Sequence, residues 1–343
     1  MKTLAALPLC LCAAVASSAA AEEVRIATYN VEHWAERFDT RGTAEWAKDL
    51  EKKYPQLKGD PTIANLVTNE RNQDNEDNWE VATTILDPKL NPDILFIQEG
   101  CKQDDLEWFN KRWLKEAYKT VIVFPSNSGR DQEVCMLLKP GFEVLEKKTD
   151  YYKEPDTESK DFLKTTARDP NNISPAIEEN RLFARGPSFL KVKSPGGYVF
   201  WVGTNHNKSK SDNSLDVAKW RNREATREHE IIVELAKDGT DVVFGGDMND
   251  ELGMQEFEQQ AGGDSIAKIV GTDGKVILAT RKLAESNAVS FGGYFNDRYR
   301  SFIDHLFVSA GLKGRVKSVN IFNEGLAPVA SDHFPVLMVI ESR

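Results

Sequence analysis

Cysteine and histidine are both scarce in this chain. Of 343 residues, four are cysteine and five are histidine, and Cys10 and Cys12 fall within the first 21. There is no Cys-x-x-Cys pair and no His-Glu-x-x-His run, so zinc sites of the usual spacing are excluded. Beyond the N-terminus no apolar run approaches the ~20 residues that a membrane-spanning helix needs, and no stable membrane insertion is expected. Long Pro/Gly/Ser linkers and fixed-period repeats are also lacking, which argues against a string of tethered modules. Basic residues are in deficit, 44 Lys and Arg against 54 Asp and Glu. That balance opposes non-specific binding of polyanions over the surface as a whole.

What is present begins with a leader. Residues 1–21 carry a single charge at Lys2, an apolar run over 4–15, and small residues ending in Ala19 and Ala21. This is the pattern of a secretory signal peptide, too short to span a bilayer. A secreted or periplasmic location is therefore expected. Cys10 and Cys12 lack the Leu-x-small-Cys pattern of a lipid anchor. Only Cys101 and Cys135 remain after removal of the leader, either as one disulfide in an oxidising compartment or as two partly buried thiols. The remaining residues, 22–343, suffice for one large α/β domain or two small ones.

Short runs rich in Val, Ile, Phe and Leu predict strands over 24–30, 93–99, 121–124, 134–139, 189–192, 198–204, 242–246, 302–308 and 337–340. Amphipathic spacing predicts helices over 104–118 and 217–237. Strands interspersed with helices suggest stacked sheets with helices outside. Two acidic stretches near 35–80 and 150–179 are expected as surface excursions with irregular parts. The polar cluster at 72–78 lacks the Asp-x-Asp-x-Asp-Gly spacing of a calcium loop and is expected as a solvated loop.

Chemistry-bearing residues gather at strand ends, where loops converge on a cleft. Thr28-Tyr29-Asn30 closes the first strand, and Phe96-Ile97-Gln98-Glu99-Gly100 ends the second with a carboxylate. Thr204-Asn205-His206-Asn207-Lys208-Ser209 surrounds an imidazole with hydrogen-bond donors. Phe244-Gly245-Gly246-Asp247-Met248-Asn249 places two polar side chains at two-residue spacing after a glycine turn. Phe302-Ile303-Asp304-His305 and Ser331-Asp332-His333-Phe334-Pro335 complete the set. Four of the five histidines, His33, His206, His305 and His333, lie in or beside these patterns, and only His229 on the long helix does not. Because histidine is the side chain best matched to proton transfer near neutral pH, this placement favours chemistry.

In that order the patterns resemble the endonuclease/exonuclease/phosphatase superfamily, nearest its pancreatic-type deoxyribonuclease-like branch. Each motif is weak alone, but six in sequence over residues 29–334 are specific. The resemblance implies an α/β fold, a four-layer sandwich of two central mixed β-sheets flanked by helices, with the site between the sheet ends. It implies Glu99 as the main metal ligand, with Asn30 and Asp332 beside it, for Mg²⁺ or Mn²⁺. Asp247 would orient or deprotonate the attacking water, and Asn249 would help hold water or phosphate. His333 would touch the phosphoryl oxygen with its tautomer set by Asp304. His206 would be the second phosphate-facing imidazole, with Glu133, or Gln132 one residue before it, as its candidate partner. Oxygen donors independently suit a hard cation. Arg185, ahead of the strand at 189, is a candidate phosphate clamp, as is Lys208.

The expected substrate is a phosphoester, with DNA or RNA the favoured form. Lys208, Lys210, Lys219, Arg221, Arg223 and Arg227 outnumber nearby acids, and Tyr294, Arg298, Tyr299 and Arg300 precede Asp304. Such groups could track a nucleic-acid backbone. The competing expectations are a small-molecule or lipid phosphoester, and a non-catalytic binding module of the same fold.

Overall fold

The computed structural model describes residues 22–32, 34, 43–68, 74–129, 132–160, 174–210, 214–253, 256–292 and 300–342. Residues 1–21, on which the signal-peptide expectation rests, His33, and Tyr294, Arg298 and Tyr299 lie outside them.

Twelve strands form two six-stranded mixed sheets. They are β1 (Glu23–Asn30), β2 (Ile94–Gly100), β3 (Thr120–Val123), β4 (Glu133–Leu138), β5 (Glu143–Lys148), β6 (Ser188–Lys193), β7 (Val199–His206), β8 (Asp241–Asp247), β9 (Val276–Leu278), β10 (Asp304–Ser309), β11 (Val316–Ile321) and β12 (Val336–Glu341). The first sheet runs β11-β12-β1-β2-β4-β3, and the second β5-β6-β7-β8-β10-β9. Each has one parallel pair at its centre, β1 with β2 and β7 with β8, and every other pairing is antiparallel. Helices α1 (Thr43–Lys53), α2 (Pro61–Leu66), α3 (Asn75–Leu86) and α4 (Gln103–Arg112) cover the first sheet. The short α5 (Pro175–Glu178), long α6 (Leu215–Leu235), α7 (Glu256–Ala261), α8 (Ser265–Val270) and α9 (Arg281–Ala284) follow, and α10 (Ala327–Ala330) precedes β12.

The expected four layers are present, and period-two alternation builds them. Val24 and Ile26 of β1, Ile94 and Phe96 of β2, Phe200 and Val202 of β7, and Leu306 and Val308 of β10 meet between the sheets. Their neighbours Ala27, Tyr29, Leu95 and Ile97 face the other way, onto Trp46, Leu50, Ile85 and Phe109 of the first helical layer. Phe244 and Phe307 likewise face Ile231, Ile232 and Ile266 of the second. Full burial of each such side chain contributes about 1.5–3 kcal/mol.

Along the inward faces the pattern then changes. After Val24 and Ile26 come Thr28 and Asn30; after Ile94 and Phe96 comes Gln98; after Phe200 and Val202 come Thr204 and His206. Thr28 Oγ1 lies 3.0 Å from Gln98 Oε1, and Gln98 Nε2 donates to Thr204 Oγ1 at 3.1 Å, bridging the two sheets. The dry core thus gives way to polar groups at the carboxyl ends of both parallel pairs, where open α/β sheets place their ligands.

Several expectations are corrected. The stretch near 35–80 carries helices α1 to α3, whose Trp46, Leu50, Ile63, Leu66 and Val81 are buried. In the cluster at 72–78, Asp74 caps α3 through Glu76 N and Asp77 N, and Asn75 and Asn78 are buried rather than solvated. Helix α4 ends at Arg112, short of 118, and Lys115 and Glu116 adopt positive φ beyond it. Strands β5, β9 and β11 were not predicted. All three are sheet edges, where one side of the ladder is unpaired and polar or short sequences are the rule. Cys101 and Cys135 are buried free thiols.

Candidate active site

Asn30 and Glu99 end β1 and β2, and His206 and Asp247 end β7 and β8. Asp304 begins β10 directly opposite Asp247 in the antiparallel ladder. Asp332 and His333 lie just before β12, beside the end of β1. Alternation alone would send Glu99 outward with Ile97. Instead the β2–β4 register shifts between Ile97 and Gly100, and Glu99 adopts φ 55°, which re-aims its side chain. Gly246 is required for a different reason: a Cβ there would sit 1.9 Å from the Asn205 carbonyl oxygen of the parallel neighbour.

Asp247 is the centre. Its Oδ2 accepts from Asn30 Nδ2 at 3.0 Å and lies 3.3 Å from His206 Nε2 and 3.8 Å from His333 Nε2. Its Oδ1 accepts the Asn249 amide at 2.8 Å. His333 Nδ1 pairs with Asp304 Oδ2 at 2.8 Å, which leaves Nε2 to face the site. The His333 ring also rests on Phe291, centroids 4.7 Å apart. Glu99 Oε1 lies 3.5 Å from Asn30 Nδ2 and 3.9 Å from His206 Nε2. All of these side chains are buried or nearly so.

Crowding of acids sets the electrostatics. Burial pushes the Asp247 carboxyl up to about 7; nearby Asp304 adds to this, while His333, the Asn249 amide and Asn30 oppose it. Asp332 is pushed up to about 6, first by burial and then by Glu32, Glu99 and Asp304, against His333. Burial disfavours the His333 imidazolium, but Asp304, Asp247 and Asp332 outweigh it and lift the ring to about 10.

Asp332 Oδ1 is buried without a hydrogen-bond partner, in a neighbourhood that holds Glu32, Glu99 and Asp304. This carboxylate oxygen, 3.8 Å from His333 Nε2 and among other acids, fits a hard divalent cation with Glu99 and Asp332 as donors. Asn30 turns its Nδ2 to Glu99 and Asp247 while its Oδ1 accepts the Glu32 amide at 3.0 Å, so its oxygen would join them only with the amide turned over. Asp247, Asp304 and His333 also bring candidate ligand atoms within 4.8 Å of one another. In that trio Asp304 engages only His333 Nδ1 and leaves Nε2 open, but with the ring lifted to about 10 that Nε2 carries a proton near neutral pH, which an ion there would have to displace.

Gln132, Arg185, Asn249 and Lys208, all candidates from the sequence, and Glu32, which was not one, complete the wall. Gln132 donates to Glu99 Oε2 at 3.3 Å and accepts from Arg185 Nη1 at 3.3 Å. Arg185 Nη2 and Asn249 Nδ2 both donate to the Asn207 carbonyl, at 3.2 and 3.1 Å. Asn249 is therefore tied to the segment after β7 through one of its Nδ2 hydrogens. Glu32 accepts the Asp332 amide at 3.3 Å. The Lys208 ammonium lies 5.9 Å from the Trp220 ring centroid, and the Lys208 amide donates to Glu224.

His305 does not join the site. Next to Asp304 on β10, it faces the opposite side and is held by Thr280 Oγ1 and the Asp250 carbonyl, each at 3.1 Å. His229 faces the Ile269 carbonyl at 2.9 Å, away from the cluster.

The basic run is also rearranged. Arg223 makes a bidentate pair with Asp156 at 2.7 and 2.8 Å and reaches Glu158 at 3.1 Å. Arg227 pairs in the same way with Glu154 at 2.8 and 2.9 Å. Lys210 lies 2.6 Å from Asp250 and 3.0 Å from Glu258, with buried Arg221 beside the same two acids. Much of the 150–179 excursion that is described thus clasps the arginine face of α6. These cations are paired with internal acids rather than freely solvated.

The pattern of the Endonuclease/Exonuclease/phosphatase family matches residues 27–333. Among solved structures, an endonuclease/exonuclease/phosphatase family protein from Bacteroides thetaiotaomicron is 16% identical at TM-score 0.58, covering 94% of this chain and 99% of that one. Truncated TDP2 from Caenorhabditis elegans is 16% identical at TM-score 0.53, covering 93% and 98%. The mannosyl-6-phosphatase of Bacteroides thetaiotaomicron is 15% identical at TM-score 0.53, covering 92% and 99%. At such identities the likeness carries the fold alone. No curated protein matches the sequence.

Proposed function

The chain belongs to the endonuclease/exonuclease/phosphatase family, and we propose that it hydrolyses compact phosphoesters by water attack with the aid of Mg²⁺ or Mn²⁺. The observation that carries this is the convergence of two imidazole Nε2 atoms, from His206 and His333, on the buried Asp247 carboxylate. Asp247 accepts a proton from the attacking water as its oxygen bonds to phosphorus. His206 and His333 donate to phosphoryl oxygens, stabilising charge that develops in the transition state. Asp304 fixes the His333 ring with Nδ1 toward itself. Arg185 stands at the rim to meet the phosphate. The P–O bond to the leaving group breaks, and the proton held on Asp247 returns to solvent. A cation held by Glu99, Asp332 and Asn30 supplies neutralisation of the phosphoryl and leaving oxygens when bound.

A compact ester is favoured over nucleic acid because Lys210, Arg221, Arg223 and Arg227 are committed to internal acids. Few free cations then remain among the described residues near the cleft to follow a phosphate backbone. The nucleic-acid alternative rests on the basic, aromatic stretch ending at Arg300: its flanks Phe291 and Ser301 are bridged to each other, and Phe291 is bridged to His333. The leader supports export, testable by N-terminal sequencing of the mature protein.

The deciding experiment compares 4-nitrophenyl phosphate, bis(4-nitrophenyl) phosphate, RNA and plasmid DNA with Mg²⁺ or Mn²⁺ across a salt series. Turnover of the small esters with shallow salt dependence is expected. Plasmid nicking that dominates and falls with a log–log slope near the roughly −2.7 of three neutralised phosphates would establish the nuclease instead.

A further inference from the structure

Glu224 and Glu228 lie one turn apart on α6 and are both fully buried. No salt bridge reaches either among the described residues, so two acids are carried in the interior without a directly paired cation. That is costly unless something needs them there.

Three of their partners, Asn205, Asn207 and Lys208, lie on the one segment that carries His206; Glu224 also meets the Ala184 backbone. Glu228 accepts from Asn205 Nδ2 through one carboxylate oxygen and from Asn207 Nδ2, at 3.3 Å, through the other. Asn205 Nδ2 also donates to Asn207 Oδ1, so the side chains on either side of His206 are closed into one ring of contacts. Glu224 accepts the Lys208 amide at 2.9 Å. From Asn207 the ties continue outward: its amide donates to the Asp247 carbonyl at 3.0 Å, and its carbonyl holds Arg185 and Asn249. The His206 amide in turn donates to the Arg185 carbonyl at 3.1 Å.

We infer that Glu228 is a positioning residue for the reaction, clamping Asn205 and Asn207 so that the His206 imidazole between them is held on the Asp247 carboxylate, with Glu224 fixing the Lys208 end of the same segment. The inference rests on the catalytic placement of His206 given above. Burial pushes Glu228 up to about 8, with the Asn205 and Asn207 amides opposing it, and Glu224 up to about 7, with the Lys208 amide, Lys160 and Arg185 opposing it. Two amide donors on two oxygens require a group that accepts on both sides. Only the ionised carboxylate does this, and the raised value leaves it dominant above about pH 8, so the kinetics are read at about pH 9; a carboxamide accepts on one side alone.

A double-mutant cycle on the full mature protein tests it, reading kcat and KM for bis(4-nitrophenyl) phosphate with Mn²⁺ alongside Tm. A misplaced catalytic group costs up to ~10²-fold. Glu228→Ala should therefore lower kcat by about 10–100-fold with KM changed less than about twofold. In a His206→Ala background the same substitution should add almost nothing, because its effect runs through the imidazole. Glu228→Gln keeps the shape and one accepting oxygen, should fall between, and carries the test if the alanine variant does not fold. Losses that multiply in the double variant, or wild-type kcat in folded Glu228→Gln and Glu228→Ala, would overturn the inference. A silent His206→Ala would instead remove the catalytic placement on which it rests.

Discussion

The side-chain amide of Asn30 donates to Asp247 Oδ2 at 3.0 Å, joining residues 217 apart in the sequence and tying the first sheet to the second at the mouth of the cleft. The same amide lies 3.5 Å from Glu99 Oε1, so one side chain touches both the candidate base and the candidate metal ligand.

That double contact ties the metal to the chemistry. Excess chelator should abolish turnover, and Mg²⁺ or Mn²⁺ should restore it. Glu99→Gln should raise the metal concentration needed for half-maximal rate by at least about tenfold, since one charged oxygen donor is lost. Isothermal titration with Mn²⁺ reads the affinity directly. Full activity in chelator would remove Glu99, Asp332 and Asn30 from the role proposed.

The Asp304–His333 pair should be indispensable. His333→Ala is expected to cut kcat by ~10²–10⁴-fold, the usual worth of a positioned proton-transfer group. Asp304→Asn should be nearly as damaging, because an amide no longer holds His333 with Nδ1–H toward residue 304. His229→Ala serves as the control, with some stability lost and kcat unchanged. A damaged His229 variant beside an active His333 variant would invalidate the placement.

His305 should make the fold sensitive to acid rather than assist the reaction. Its ring is fully buried, and burial lowers its pKa to about 4 from 6.5, although Asp250 and Asp304 pull the other way. Between those values the unfolded chain binds the proton that the folded chain refuses, so stability is lost as pH falls from 6.5 towards 4. On the order of 3 kcal/mol is at stake over the window. Tm followed from pH 7 to 4 should therefore fall more steeply for the wild type than for His305→Gln. Equal slopes would assign the acid sensitivity to other groups.

Arg227 and Arg223 should matter for stability and not for substrate. Arg227→Ala removes a bidentate, partly buried pair with Glu154 and should cost about 1 kcal/mol. Turnover of small esters, and any plasmid nicking, should stay at wild-type levels. A selective loss of nicking with unchanged ester hydrolysis would show that these arginines meet DNA despite their internal partners.

The interior strands were legible because burial on both faces of a central strand writes a continuous apolar run into the sequence. Edges β5, β9 and β11 were not, since Glu143-Val144-Leu145-Glu146-Lys147-Lys148 and its like are half solvated and carry no such run. Asn30, Glu99, His206, Asp247, Asp304 and His333 could be picked out because each stands at the end of a strand, or just ahead of one, a position that a local pattern reveals. Glu224 and Glu228 could not. An acid on a helix reads as solvated charge until the layer that buries it is known.

The sequence by itself determined the layered α/β fold and the family, since alternation, strand-end polar residues and their order are all properties of the linear chain. Only the tertiary structure decided which groups act together. Asp304 turns inward and His305 outward because adjacent strand residues face opposite sides, and which side is the cleft depends on the second sheet. Glu99 enters the site through a local register shift that no composition announces. Arg223 and Arg227 are neutralised by Asp156 and Glu154, 67 and 73 residues away. Whether a charge is free or paired is a matter of distance in space, and separations of that length are not written in the linear order.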